Sequence, residues 1–210
     1  MKSIVIAFTS LSEKIIEKAL ATAMPYEAYL KQMNFFSKEE ATSGPDQSEI
    51  LIDYTALNYK RMKRLDKSIE LDNAHKQKIN KLDKKITWLV ITEAWCGDAA
   101  QVIPVLNKIA ESTKNIDLKL VYRDENQALI DAFLTDGARS IPKLIALNEK
   151  NEVLYTWGPR PSEATKMVVD FKSINGNLTP EFKIDLQKWY NNDKGTGIIV
   201  DQITMLNKIE

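Results

Sequence analysis

Apolar residues recur at helical spacing through the first third of the chain. They stand three or four positions apart in the stretches 11–20, 26–33 and 50–65. A helix of about 3.6 residues per turn places such positions on one face, so the pattern predicts amphipathic helices. The turn residues of segment 42–46 separate the second stretch from the third. We therefore predict a mostly helical N-terminal extension over residues 1–82.

From Lys85 onward, short apolar runs alternate with segments of helical spacing. Two runs rich in β-branched residues predict strands over 86–92 and 116–122. Two further runs, 142–147 and 152–157, are joined by a short polar turn and predict a hairpin. The intervening segments predict helices over residues 98–111, 126–134, ending at Gly137, and 162–174, capped by Ser162. This order predicts a mixed α/β sheet flanked by helices over residues 83–176.

Two more amphipathic segments follow Gly176. The first contains Phe182 and Leu186, and the second carries an apolar stripe over residues 199–209. Such a stripe is most often buried against its own chain. We therefore expect residues 177–210 to form C-terminal helices packed on the α/β domain.

Composition excludes several classes of function. The 29 basic and 29 acidic residues give zero net charge, which argues against a nucleic-acid partner. With one cysteine and one histidine, the chain predicts neither an internal disulfide nor a metal site, and we expect no cofactor. No apolar run reaches the roughly 20 residues of a membrane helix, and charges interrupt the N-terminal apolar segment. We expect a cytoplasmic protein without a membrane partner.

The single cysteine stands where a predicted strand changes into a predicted helix, in the segment Trp95-Cys96-Gly97-Asp98-Ala99. A helix N-terminus favours the thiolate, because its backbone N–H groups and its dipole attract negative charge. The carboxylate of Asp98 acts in the opposite direction. The sequence leaves the net direction of the Cys96 pKa open. We expect an accessible thiol at Cys96, shielded on one side by Trp95.

These residues resemble the thioredoxin-like superfamily. Trp95-Cys96-Gly97 is similar to the start of its active-site motif, and Pro104 matches the proline that kinks the following helix. Ile141-Pro142 resembles its cis-proline turn, and Gly158 matches a glycine near its last strand. The resemblance covers about residues 83–176 and implies a thioredoxin-like fold with helical additions at both ends.

The resemblance also implies roles for the site residues. Cys96 would be the catalytic nucleophile, and Ile141 and Pro142 would present their backbone to an extended substrate. Trp95, Gly97 and Asp98 would shape the approach of that substrate. These six residues form the predicted site.

Residues 57–65 resemble part of a bacterial branch that has a helical N-terminal extension and a Trp-Cys-Gly-Asp-Cys motif. The chain departs from this pattern in three places. Ala99 replaces the second cysteine, and Val90 stands where thioredoxins keep a buried acid. Lys143 follows the proline turn, where many relatives have threonine. The first two departures both remove parts that resolve a mixed disulfide.

Two functions follow, and whether the chain is an enzyme stays open. In the first, it is a cytoplasmic monothiol protein that exchanges disulfides through Cys96. Because Ala99 supplies no thiol, an external thiol must resolve the adduct. Its substrate would be a protein disulfide or a small thiol. In the second, it is a non-catalytic interaction module that binds an extended peptide beside Cys96 and Pro142. We expect a monomer or a weak homodimer.

Overall fold

The helical extension is confirmed by a computed structural model, which describes the backbone of residues 2–209 and the side chains of residues 12–209. Its four helices are α1 (Lys2–Thr22), α2 (Tyr26–Lys38), α3 (Glu49–Ser68) and α4 (Asn73–Ile79). Helices α2 and α3 pack against each other, and α3 also packs against the first helix of the α/β unit. The extension therefore lies against the element that carries the cysteine.

The sheet has four strands in the order β2-β1-β3-β4. Their bounds are β1 (Ile86–Thr92), β2 (Ile116–Tyr122), β3 (Lys143–Leu147) and β4 (Val153–Trp157). Strands β1 and β2 are parallel, whereas β3 runs antiparallel to both β1 and β4. Helix α5 (Gly97–Glu111) connects β1 to β2, and α6 (Gln127–Ala132) connects β2 to β3. The predicted mixed α/β fold with helical extensions is confirmed.

The main hydrophobic core joins the extension, the sheet and the last helix. Met33 and Met62 from the extension are buried in the same cluster as Trp88 of β1. Helices α7 (Ser162–Asn175), α8 (Pro180–Asp193) and α9 (Thr196–Leu206) follow the sheet. The stripe on α9 belongs to the main core and therefore packs against the same chain. Helices α7 and α8 instead form a second, smaller cluster.

Two predicted helix ends are wrong. Helix α6 ends at Ala132, and Gly137 lies in a separate turn where Thr135 and Ala138 bond each other. Ser162 is the first residue of α7 and does not cap it. Its backbone N–H and its hydroxyl both donate to the carboxylate of Asp201 on α9. A distant carboxylate thus performs the capping that the local sequence assigned to Ser162.

No helix in the part of the chain that the structure describes has the length and apolar character needed to cross a bilayer.

Candidate functional site

The structure brings Cys96 to the N-cap of α5, beside the turn that precedes β3. The Cys96 sulfur accepts a hydrogen bond from the backbone N–H of Ala99 at 3.4 Å. The thiol donates to the carbonyl oxygen of Ile141, also at 3.4 Å. The Ile141–Pro142 peptide bond is cis, as the resemblance implied. The cysteine segment and the cis-proline turn, which are 45 positions apart in the chain, therefore lie together.

Burial decides the protonation of Cys96. The residue is 7% exposed, so the expected accessible thiol is wrong. Burial in low dielectric disfavours the thiolate and raises the pKa of Cys96 to about 12. The nearby Asp98 carboxylate raises this pKa further, and the N–H of Ala99 and the Arg160 guanidinium oppose it. The direction that the sequence left open is upward, and the thiol is neutral at pH 7.

Asp98 faces protein groups on both sides. Its carboxylate lies 2.6 Å from the Arg160 guanidinium, and the Tyr190 hydroxyl donates to it at 2.9 Å. The side chain is only 12% exposed, and burial raises the pKa of Asp98, although Arg160 lowers it. The role predicted for Asp98 was to shape the approach of a substrate. Its observed contacts tie the start of α5 to the loop after β4 and to α8.

Gly97 is half-buried and lies near one helix from each extension. A side chain at this position would lie 3.6 Å from Nη1 of Arg61 on α3 and 3.8 Å from Nε2 of Gln187 on α8. Gln187 also accepts a hydrogen bond from Gln101, one turn further along α5. The N-terminal and C-terminal additions therefore both close against the first turn of α5.

Trp95 keeps part of its ring exposed. The guanidinium carbon of Arg123 lies 5.0 Å from the ring centroid, within the range of a cation–π contact. Trp95 is half-buried, packed at the edge of the main core. Its contact with Arg123 fixes the loop that leads into Cys96.

A fully buried carboxylate that the sequence analysis did not select holds the same loop. Glu93 accepts hydrogen bonds from the Ser43 hydroxyl and from the backbone N–H of Asp124. Ser43 in turn accepts from the N–H of Ala94, and Asn58 of α3 donates to the Ala94 carbonyl. Burial raises the pKa of Glu93. The one available signal was a charged residue placed directly after the apolar run of β1.

The positions that depart from the family pattern supply no group for resolving a mixed disulfide. Ala99 is buried, and the chain has no second thiol. Val90 is fully buried in β1, opposite Leu120 and Leu144 on the neighbouring strands. Lys143 is buried as well, and its ammonium donates to the Thr135 hydroxyl at 3.0 Å. None of these side chains can release a molecule bound to the Cys96 sulfur.

Replacing the charge at Asp98 tests the electrostatic part of this account. Asp98→Asn is expected to lower the Cys96 pKa by about one unit, which is a tenfold gain in thiolate at a fixed pH below it. It should also cost about 2 kcal/mol of stability, because the partly buried Arg160 loses its counterion. Titration of the thiolate absorbance and a denaturant midpoint measure the two effects.

The matched control is Asp185→Asn, which removes a carboxylate from an exposed ion pair on α8. It should leave both quantities unchanged. If Asp98→Asn left the Cys96 pKa at the native value, the carboxylate would have no part in keeping the thiol neutral.

Comparison with known proteins places this architecture in a family. A family model described as thioredoxin matches residues 44–174, which is more than half of the chain. No curated protein matches the chain. A Pseudomonas aeruginosa protein of unknown function superposes with a TM-score of 0.61 at 16% identity, covering 90% of this chain and 95% of its own. An HIV epitope scaffold gives the same TM-score and identity, with coverages of 92% and 98%.

At this identity the two structures show likeness of fold alone, and their coverage of at least 90% of this chain takes in most of the helical additions at both chain ends. The family match spans the segment that carries the cysteine, the cis-proline turn and all four strands. The chain therefore belongs to the thioredoxin family.

Proposed function

We propose that this thioredoxin-fold chain is a non-catalytic interaction module in which Cys96 serves the structure of the fold. The observation that carries the proposal is the neutral, buried thiol bonded to the Ile141 carbonyl. Disulfide exchange requires a thiolate. A thiol with a pKa of about 12 is ionised in only about one molecule in 10⁵ at pH 7, against about one in 30 for an ordinary cysteine.

The surroundings of the thiol support the same proposal. The Ile141 carbonyl, which an extended peptide would use, already accepts the thiol hydrogen bond. Ile141 and Pro142 are both buried. A peptide in the groove beside Cys96 and Pro142 would therefore have to displace contacts within the chain.

Monothiol exchange is the second candidate, and the placement of the sulfur favours it. The Ala99 N–H is directed at the Cys96 sulfur, and the cis-proline turn lies beside it. If Cys96 became exposed and lost its proton to water, its thiolate would attack a substrate disulfide. This attack would form a mixed disulfide and release one substrate thiolate. An external thiolate would then attack the substrate sulfur of this adduct, forming a new disulfide and expelling the Cys96 thiolate, which takes a proton from water and becomes the thiol again. Four parts of this candidate remain predictions. The substrate is a protein disulfide and the reductant is a small thiol. The protein is cytoplasmic, and it belongs to the bacterial branch.

The reactivity of the thiol separates the two candidates. The native protein is expected to show thiolate absorbance only above pH 10. Its alkylation by iodoacetamide at pH 7 should be about a hundredfold slower than that of an unfolded cysteine, because the loss of thiolate outweighs the gain in nucleophilicity. Insulin reduction with a small-thiol reductant should not exceed that of Cys96→Ser.

The same chain unfolded in denaturant is the internal control, since its thiol should titrate near 8.5. If the native thiol instead titrates at or below that value, reacts fast with iodoacetamide and gives turnover in the insulin assay, the chain is a monothiol enzyme and the proposed module is wrong.

A further inference from the structure

Three exposed apolar side chains share one face of α3. Ile50, Tyr54 and Leu57 are 68%, 40% and 42% exposed, and they are four and three positions apart. Among the side chains that the structure describes, no other helix exposes as many large apolar residues. Arg61 and Arg64 continue the same spacing, which is that of a coiled-coil seam. These five residues are called the α3 face.

Charges along this face separate by sign. Glu49 and Asp53 flank its first half, and Lys60 flanks its second half beside the arginines. None of these charged side chains makes an ion pair with a described residue. Arg61 and Arg64 donate to the neutral amides of Asn58 and Asn191. Both ends of the face therefore offer charge without a counterion.

We infer that the α3 face binds the α3 face of a second copy in antiparallel orientation. A two-fold axis beside Leu57 brings Asp53, four positions before it, near the partner subunit's Lys60, three positions after it. The symmetry makes this pair twice. Asp53 and Lys60 occupy equivalent flanking positions of the seam, from which charged side chains pair between helices. Ile50 meets the alkyl stem of the partner subunit's Arg64, whose charged end stays in water.

Charge complementarity selects this arrangement over its alternatives. A parallel pair would place the arginines of the two copies against each other. An acidic segment of another protein would neutralise the second half but would meet Glu49 and Asp53 in the first half. A second copy, turned end to end, satisfies both halves.

The size of the face sets the strength of the dimer. From Ile50 to Arg64 it spans about 21 Å of helix, and it carries only three large apolar side chains. A face of this length buries less area than a standard stable interface, which buries about 1,600 Å² in total. The dimer is therefore weak and reversible. It also covers Arg61, the residue beside Gly97, so each copy would border the first turn of α5 of the other.

Exchange of the two charges tests the geometry. The native chain should show a weight-average mass in sedimentation that rises toward that of a pair between micromolar and millimolar concentration. Asp53→Lys and Lys60→Asp, each alone, should stay monomeric, because each doubles a like-charge contact. An equimolar mixture of the two variants should associate again, because both charge pairs are restored in the mixed dimer. Both residues are exposed, and circular dichroism checks that each variant folds.

Crosslinking tests the orientation. In a Cys96→Ser background, Leu57→Cys should form a disulfide-linked pair under copper phenanthroline, and Ile50→Cys should not. Crosslinking of both variants would indicate a parallel pair. The control Glu17→Arg changes an exposed charge on α1 and should associate as the native chain does.

A native chain that stays monomeric at the highest concentration, or a mixture that fails to associate, overturns the inference. Monomers that bind a synthetic acidic amphipathic peptide through the same face would assign that face to another protein. The measured quantity is mass and does not involve the chemistry of Cys96, so either result leaves the proposed function to its own test.

Discussion

Gly158→Ala should destabilise the fold by at least about 3 kcal/mol, because the new methyl group would meet backbone atoms that cannot rotate away. A Cβ on Gly158 would overlap the carbonyl oxygen of Pro142 and would lie 3.6 Å from the Cα of Lys143. The backbone at Gly158 also has φ of +110°, which residues with a side chain rarely adopt. A denaturant titration followed by circular dichroism measures the loss.

Gly137→Ala separates the two causes. Gly137 also has a positive φ, of +75°, but an added Cβ would find no atom within 4 Å. Gly137→Ala should therefore destabilise the fold by only about 1 kcal/mol, which is the cost of placing a side chain at a positive φ without steric overlap. Equal losses for the two variants would mean that the close approach of Gly158 to Pro142 contributes nothing. The family glycine matched at position 158 thus has a physical reason, since it allows the chain after β4 to pass the cis-proline turn.

Glu93→Ala is expected to cost about 3 kcal/mol, because it leaves one buried and one partly buried donor without an acceptor and opens a cavity. The donors are the Ser43 hydroxyl and the Asp124 N–H, which belong to separate parts of the chain. Their loss should loosen the contact between the extension and the loop that precedes Cys96. The denaturant midpoint measures the cost, and faster alkylation of Cys96 measures the loosening.

Glu125→Ala is the control, since it truncates an exposed glutamate in the neighbouring loop and should change neither quantity.

The pH dependence of stability gives a second test of Glu93. A carboxyl whose pKa is raised on folding stabilises the fold below its unfolded pKa of about 4.3, and this contribution is lost as pH rises through the folded value. Glu93→Gln should remove that part of the slope. An unchanged slope would assign the pH dependence to other carboxyls.

Local patterns predicted the sheet well because a strand leaves its signature in neighbouring residues. The bounds predicted for β1 and β2, Ile86–Thr92 and Ile116–Tyr122, are those observed. The alternation and β-branched content of these runs arise within seven residues, so no distant contact is needed to recognise them. Helix ends were predicted less well. The cap of α7 comes from Asp201, which is 39 positions away, and no local sequence motif predicts this contact.

The sequence by itself determined the fold class, the position of Cys96 at the start of α5 and the absence of a second thiol at Ala99. The tertiary structure alone decided that the thiol is buried and neutral. Its surroundings come from Ile141, Arg160 and Tyr190, which lie 45 to 94 positions beyond the cysteine. The pKa of a thiol depends on how much water and which charges surround the sulfur. Those are properties of chain segments packed together, and the spacing of residues along one segment does not contain them.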